Sequence, residues 1–324
     1  MRPNESILIF RDKIIQFYKI YEKLCISMTK FLSVIFMLST INGAIGYEQV
    51  FTKWYMIMGI ALVCTLLPLQ YIMLLVMIFI SIHLLNLNLI IGLGSLVLFL
   101  CLYILFIRLY PKESLFIIIT MLAFKTHLYY ALPIIAGLFG GFAAIVGILI
   151  GVVGVFSLQC VEVAVQSMLK GEDMLIWANE MLGVFLNKVI YNSTMLATMS
   201  ICLIVFALVY IIRRQVIDYA PYIAIVIGGT MNLLGFVMAI LFLNISVDVF
   251  LLVIMTILSV AVAVVVQFIS KTADYSRSES VQFEDEDNYY FVKVVPKIKV
   301  RKSYTKVEKV YTPPKRASEM DIVD

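Results

Sequence analysis

The chain has 324 residues, of which 62% are hydrophobic and 14% are charged, whereas soluble domains have about 45–50% apolar and about 25% charged residues. The segment Trp54–Ile107 contains no Asp, Glu, Lys or Arg, and it is long enough for two bilayer crossings at about 20 residues each. This composition excludes a soluble globular protein and predicts an all-α polytopic membrane protein, because a transmembrane barrel would need short alternating segments.

Residues 1–30 are predicted to form an amphipathic cytoplasmic N-terminal helix. Apolar residues recur at helical spacing over 5–30, with Arg and Lys between them. A basic helix of this kind fits the cytoplasmic membrane surface, where acidic lipids attract cations. The alternative is that this segment is the cytosolic start of the first spanning helix. No cleavable signal peptide is expected.

The apolar segments that follow predict a transmembrane domain over 31–270 with eight crossings. In chain order they are Phe31–Tyr47, Trp54–Leu67, Leu69–Leu85, Leu89–Ile107, Pro133–Phe156, Met195–Ile212, Pro221–Leu243 and Val249–Ile269. A further segment, Ser114–Phe124, would reach about 16 Å as a helix of about 11 residues, half of the hydrocarbon thickness. We expect it to be a re-entrant or interfacial half-helix that returns to the cytoplasmic side and packs inside the bundle.

Lys and Arg in short loops predict the orientation, because such loops stay in the cytoplasm. The basic clusters are the N-terminus, Arg108 with Lys112, Lys125, Arg213 with Arg214, and the Lys-rich tail. The half-helix lets all of them share one side, so we expect a cell (inner) membrane protein with both termini cytoplasmic. Residues 157–192 then form one sizeable external loop, which is either a connector on the outer leaflet or a partner-binding lid.

Two glycine-rich segments share the pattern P-x-x-A-x-x-x-G-G-x-x-x-x-x-G and are interpreted as a parallel internal repeat. Proline suits a first helical turn, and glycines let helix backbones approach closely. The repeats are therefore either packed glycine seams or the walls of a pathway near the midplane. The residues singled out are Pro133, Gly137, Gly140, Gly141 and Gly147 in the first segment, and Pro221, Gly228, Gly229, Asn232 and Gly235 in the second.

Polar chemistry within the apolar segments is sparse. Asn232 is the best candidate for a lumen-facing polar group, and its alternative role is an interhelical hydrogen bond. His83 fits an interhelical hydrogen bond better than a ligand role. The sequence has no H-E-x-x-H, G-x-S-x-G or P-loop pattern and no C-x-x-C spacing. We therefore expect no catalytic residue, cofactor or metal, and no enzyme. The other uncharged candidates are Thr230, Asn244, Gln267 and Gln159.

Residues 271–324 are predicted to be a mostly disordered cytoplasmic tail. Within it, 281–296 is strand-like, because an acidic cluster at 284–287 is followed by the β-branched and aromatic stretch Tyr289–Pro296. We expect this segment to add to the sheet edge of a cytosolic protein, or to fold back on the membrane base. No nucleic acid is expected, because the basic run after 296 belongs to no recognised nucleic-acid module. The residues proposed to dock a partner are Glu284, Asp285, Tyr289, Tyr290, Phe291 and Lys293.

Four stretches carry a resemblance to a known group of proteins. They are Pro111–Ser114, Ala131–Gly141, Ile217–Ala224 and Gln282–Ile298. They resemble an uncharacterised family of multipass membrane proteins from clostridial (Firmicutes) bacteria. The resemblance implies a bacterial membrane location and brings no established activity.

Two functions from different classes follow from these features. The first is an integral membrane scaffold, or a subunit of a membrane complex, whose cytoplasmic tail docks a partner. It is favoured by the lack of ionisable groups in the middle of the apolar segments. The alternative is a transporter or channel component with a pathway between the two glycine-rich seams.

Overall fold

The structure is a computed structural model that describes residues 3–46, 48–87, 89–168, 183, 186–270 and 279–294. Within them the chain forms twelve α-helices and one antiparallel β-hairpin. The elements are α1 (Pro3–Ile20), α2 (Glu22–Ile45), α3 (Gln49–Thr52), α4 (Trp54–Leu66), α5 (Leu69–Leu87), α6 (Leu89–Leu102), α7 (Leu115–Lys125), α8 (Leu132–Phe139), α9 (Ala143–Met168), α10 (Ser193–Ile212), α11 (Ala220–Leu243), α12 (Val249–Ser270), β1 (Glu279–Glu284) and β2 (Tyr289–Val294).

Five helices are long and apolar enough to cross a membrane, namely α2, α5, α10, α11 and α12. Shorter apolar helices of 10–17 residues lie between them along the chain. The predicted polytopic helical class is therefore supported, and the helix bounds follow the apolar segments closely except in the region 125–157. Within the predicted external loop, residues 157–168 instead continue α9, while residues 169–182 and 184–185 lie outside the described residues.

Local sequence signals explain where several of these helices begin. Asn192 caps α10, because its side-chain oxygen accepts hydrogen bonds from the backbone N–H groups of Thr194 and Met195. Asp248 does the same for the first turn of α12. Pro68 separates α4 from α5, as expected for a residue that cannot continue a helix.

The helices α2, α4, α5 and α6 pack as an up-and-down group around one hydrophobic cluster. Lys30 near the start of α2 donates to the carbonyl oxygen of Leu67, just after α4, at 2.9 Å. Ser95 in α6 donates to Ser81 in α5 at 3.4 Å. These contacts show that neighbouring helices in this group are antiparallel, which fits their short connections.

Several basic residues lie together at one end of the bundle, called the basic end below. The Arg11 Nε group of α1 donates to the carbonyl oxygen of Phe268, near the end of α12. Arg213, after α10, hydrogen-bonds the carbonyl oxygen of Gly140, after α8, at 3.0 Å. The residues that define the basic end are Arg11, Arg108, Lys112, Arg213 and Arg214.

The tail contains a hairpin where the sequence predicted a single strand. β2 and residues 281–284 of β1 fall within the predicted segment 281–296, but the turn between them was not predicted, and the two strands pair antiparallel with Gln282 opposite Phe291. The acidic cluster forms the turn, since Asp285 accepts hydrogen bonds from the N–H groups of Asp287 and Asn288. This Asx-type turn is the local signal that joins the strands.

Candidate functional site

The helices α7 and α8 form an antiparallel hairpin inside the bundle. At its tip, the rings of Phe124 and Tyr129 stack with centroids 4.5 Å apart. At its base, Gly141 after α8 lies next to Glu113 before α7. A Cβ atom built onto Gly141 would be 3.6 Å from Oε1 of Glu113. The tip residue His127 has a φ of 57°, in the left-handed region that allows a sharp reversal. The start of α7 and the end of α8 therefore lie together at the basic end, and the tip points away from it.

The predicted single crossing Pro133–Phe156 is wrong. The helix stops at Phe139, Gly140 adopts an extended conformation with φ −79° and ψ 164°, and a new helix starts at Ala143. The side chain of Arg213 compensates for this break, because it donates to the carbonyl oxygens of Leu138 and Gly140, which have lost helical partners.

The predicted half-helix has the expected length, since α7 has 11 residues. The sequence placed Lys125 on the same side as Lys112, but Lys125 lies at the opposite end of α7, and α8 leads back to the basic end. α7 runs parallel to α9, so that Phe124 meets Phe156 at 6.2 Å while Gly151 packs against Thr120. Lys125 is exposed at the tip, away from the basic end.

The two copies of the predicted repeat begin alike but do not run parallel. Pro133 and Pro221 both lie in the first turn of a helix, as predicted. However, α8 runs toward the basic end and α11 runs away from it, because Tyr130 contacts Asn232 while Ile134 faces Gly228. The Gly140–Gly141 pair ends a helix, whereas the Gly228–Gly229 pair lies within one.

Glycines bring three helices together around Val209 of α10. A Cβ atom at Gly137 of α8 would lie 2.7 Å from its Cγ1 atom, and one at Gly228 of α11 would lie 2.6 Å from its Cγ2 atom. Both distances are too short for a real side chain, so the close approach requires glycine. The other predicted glycines pack against neighbouring helices, with Gly147 on Glu113 and Phe116, Gly229 on Val260, and Gly235 on Ile201.

Asn232 forms the interhelical hydrogen bond that the sequence offered as one of its two roles. Its side chain is 1% exposed, and Nδ2 donates to the carbonyl oxygen of Tyr130 at 2.7 Å. Within the described part of the chain, its Oδ1 atom has no partner, and neither does Oγ of the buried Ser259 on α12. The bond ties α11 to the tip of the α7–α8 hairpin.

The basic end also contains a cavity of about 370 Å³, which the sequence did not predict as a site. Its lining combines Arg213, Arg214 and Gln267 with Pro221 and two residues from the end of α8. Gln267 was noted from the sequence only as one of several uncharged polar residues. The double arginine directly after an apolar helix was the available sequence signal for this site, but by itself it indicates only membrane orientation.

The proposed docking residues of the tail all belong to the hairpin. Tyr289, Tyr290 and Phe291 lie in β2, as does Lys293, whose side chain is outside the described residues. Asp285 starts the turn. A hydrogen bond from the Tyr290 hydroxyl, followed by those from the backbone N–H groups of Asn288 and Asp287, lowers the pKa of the Asp285 carboxyl.

The described residues hold no group of three His, Cys, Asp or Glu side chains that could bind a metal ion. His83 is fully buried, and its Nδ1 atom accepts a hydrogen bond from the backbone N–H of Glu48 at 3.1 Å. Its ring also packs edge-on against Phe79 at 4.7 Å. The hydrogen bond joins α5 to the loop before α3, and Phe79 belongs to α5 itself, so His83 forms a helix–loop contact and not the interhelical hydrogen bond expected from the sequence.

Comparisons with known proteins add no further assignment, because no protein-family model, curated protein or solved structure matches the chain.

Proposed function

We propose that this protein is an integral membrane scaffold, or a subunit of a membrane complex, whose cytoplasmic hairpin docks a protein partner. It acts without catalysing a reaction. Its place is the inner membrane of a bacterium, with the basic end and both termini in the cytoplasm. The gathering of Arg11, Arg108, Lys112 and Arg213 at one end supports this orientation, because cytoplasmic loops retain Lys and Arg.

The membrane topology that fits these contacts has eight crossings. They are made by α2, α4, α5, α6, α9, α10, α11 and α12. The α7–α8 hairpin enters from the basic end and turns at Thr126 and His127, which are exposed, while the buried Tyr130 just after the turn packs into the bundle. The contact between Tyr130 and Phe236, in the second half of α11, supports this depth.

The observation that carries the docking function is the exposed apolar face of the tail hairpin. Residues on one face of a strand pair alternate, so Val281, Phe283, Tyr290, Val292 and Val294 share a face. Their exposures range from 38% to 52%. The rings of Phe283 and Tyr290 stack across the strands at 4.9 Å. An isolated two-stranded hairpin is only marginally stable in water, so this face requires a covering surface.

The partner has to lie close to the membrane. Residues 271–278 separate the end of α12 from β1, and eight residues span at most about 29 Å when fully extended. The hairpin also offers two outer edges with unpaired N–H and C=O groups to a partner's sheet. A peripheral protein with an exposed strand and an apolar groove is therefore the expected partner.

A site-specific photocrosslinker at Val292 in the full-length protein, activated in intact cells, tests this function. Val292 lies on the apolar face, whereas the polar, exposed Ser280 lies on the opposite face, so a crosslinker at Ser280 is the matched control. We expect one protein adduct from position 292 and little from position 280. Deletion of 279–294 should release the same protein in pull-downs. Crosslinks to lipid alone, or an unchanged set of co-purified proteins, would contradict the docking function.

A transporter or channel component is the second candidate, and the α7–α8 hairpin is the observation that favours it. Half-membrane helices and broken helices occur at substrate pathways in transporters. Gly137 and Gly228 pack tightly on Val209, so a pathway between these helices requires them to separate. Leucine at Gly140 or Gly228, with intact expression, should then abolish solute flux in liposomes, and unchanged flux would count against it.

A further inference from the structure

The cavity at the basic end is built from polar groups held in fixed positions. Its volume is about 370 Å³, and it lies where α8 and α10 end, α11 begins and α12 ends. The residues that line it are Leu138, Phe139, Arg213, Arg214, Pro221 and Gln267. Several helix ends therefore meet at one polar space next to the membrane surface.

The two arginines are restrained by their neighbours. Arg213 donates to the backbone carbonyl oxygens of Leu138 and Gly140. Arg214 lies over the ring of Tyr210, with its guanidinium carbon 4.1 Å from the ring centroid. Cation–π contact and backbone hydrogen bonds position both guanidinium groups without neutralising their charge. The cavity wall therefore presents two cations that are partly preorganised.

No carboxylate among the described residues lines this cavity. Glu113 is the acidic group beside Gly141, and it forms no ion pair with Arg213 within 4.0 Å. Burial, followed by repulsion from Arg214, lowers the pKa of Arg213 from its ordinary value. An anion in the cavity would relieve that repulsion, because an opposite charge favours the charged form of arginine.

Gln267 gives independent evidence of a ligand. Its side chain is only 3% exposed, yet it lines the cavity, and among the described residues its amide has no hydrogen-bond partner. The amide atoms are not among the fully buried polar atoms without a partner, so they are reached from the cavity, where a ligand can form their hydrogen bonds. The first turn of α11 also begins here at Ala220 and Pro221, and a helix N-terminus favours negative charge.

We propose that the cavity formed by Arg213, Arg214 and Gln267 binds a phosphate-bearing ligand. Guanidinium groups match the geometry of phosphate oxygens, and the amide N–H of Gln267 donates to a further oxygen. The cavity has room for a phosphate together with an attached head group. An anionic phospholipid headgroup and a soluble phosphate ester share this chemistry. The site is separate from the tail hairpin and does not depend on the docking function.

Thermal unfolding of the purified full-length protein in a neutral detergent tests this site. The probes are phosphatidylglycerol, phosphatidylcholine as the zwitterionic control, and glycerol phosphate as the soluble phosphate ester. A ligand that binds only the folded protein raises its melting temperature. Stabilisation by phosphatidylglycerol alone assigns the site to lipid, and stabilisation by glycerol phosphate assigns it to a soluble ester. No stabilisation by either probe overturns the proposal.

Two variants separate a specific site from general charge attraction. Arg214 is exposed, so R214Q should fold normally, and R108Q removes another exposed arginine of the basic end that does not line the cavity. We expect R214Q to weaken binding of the active probe by about tenfold or more, as for loss of a charge-assisted hydrogen bond, and R108Q to leave it unchanged. Q267L should weaken binding without changing the charge. Equal losses in R214Q and R108Q would overturn the proposal.

Discussion

Replacing Gly228 with alanine should destabilise the bundle, although alanine is the better helix former. The added Cβ atom would lie 2.6 Å from Cγ2 of Val209 and 3.3 Å from Cγ1 of Ile134. Val209 is β-branched and therefore has little rotamer freedom within a helix, so relief requires α10 and α11 to move apart. Gly137 of α8 packs on the other γ-carbon of Val209, so the Val209 side chain cannot move toward α8 to make room.

The magnitude follows from two opposing effects. Overpacking a tight contact costs about 1–3 kcal/mol, whereas alanine in place of a helical glycine gains about 0.5–1 kcal/mol. The net loss of about 1 kcal/mol corresponds to a decrease in melting temperature of at most about 2–4 °C, which is the shift for domains of about 150–250 residues. Gly59 is the matched control, because a Cβ atom there would meet nothing within 4 Å. G59A should therefore be neutral or stabilising.

A double-mutant cycle in detergent makes this test decisive. V209A removes both γ-carbons and leaves a small void, so it should destabilise the protein alone. In the V209A background, G228A should no longer cost stability, giving a coupling energy of about 0.5–3 kcal/mol. Melting temperatures from fluorescence-detected size-exclusion chromatography measure all four proteins. The reasoning fails if G228A and G59A behave alike, or if the effects of V209A and G228A simply add.

Three further outcomes are expected. N232L should destabilise the folded protein by about 1–3 kcal/mol, measured by thermal unfolding, because it leaves a buried carbonyl oxygen at the hairpin tip without its donor. In a cysteine-free background, a cysteine in place of Val216 should react quickly with a membrane-impermeant reagent added on the cytoplasmic side. A cysteine in place of Thr126 should react slowly from that side, and equal rates would contradict the inserted hairpin. The pKa of Asp285 is lowered on folding, so its stabilisation of the tail hairpin is present above the unfolded pKa and is lost as the pH falls through the folded one. Tail amide signals in NMR spectra of the full-length protein should show this acid transition, D285N should abolish it, and D287N should retain it.

The sequence predicted the parts of the fold that depend on local composition. Uncharged runs gave the apolar helices, and the 11-residue length of α7 was foreseen because charges flank it on both sides. Pro133 and Pro221 were expected to begin helices, and both do. Hydrophobicity, charge and proline influence the structure of residues close to them in sequence, so their effect can be predicted from the local sequence.

The candidate sites were predicted less completely, because they depend on contacts between distant residues. Asn232 was selected from the sequence, but its partner is a carbonyl oxygen 102 positions away. Val209 carries no signal of its own, since it is one apolar residue among many in α10. The cavity at the basic end joins residues from α8 to α12, and only the packed bundle brings Gln267 next to Arg213. Strand β1 is polar at four of its six positions and becomes a separate strand by pairing with β2.

The sequence by itself therefore determined that this chain has apolar helices long enough to cross a membrane, and that its basic residues fall between them. Only the tertiary structure decided that Gly140 and Gly141 end a helix while Gly228 and Gly229 continue one. The two glycine pairs are alike in sequence, and glycine permits either conformation. The difference arises from distant groups, because Arg213 hydrogen-bonds the carbonyl oxygens freed by the first break, and Val209 and Val260 pack against the second pair.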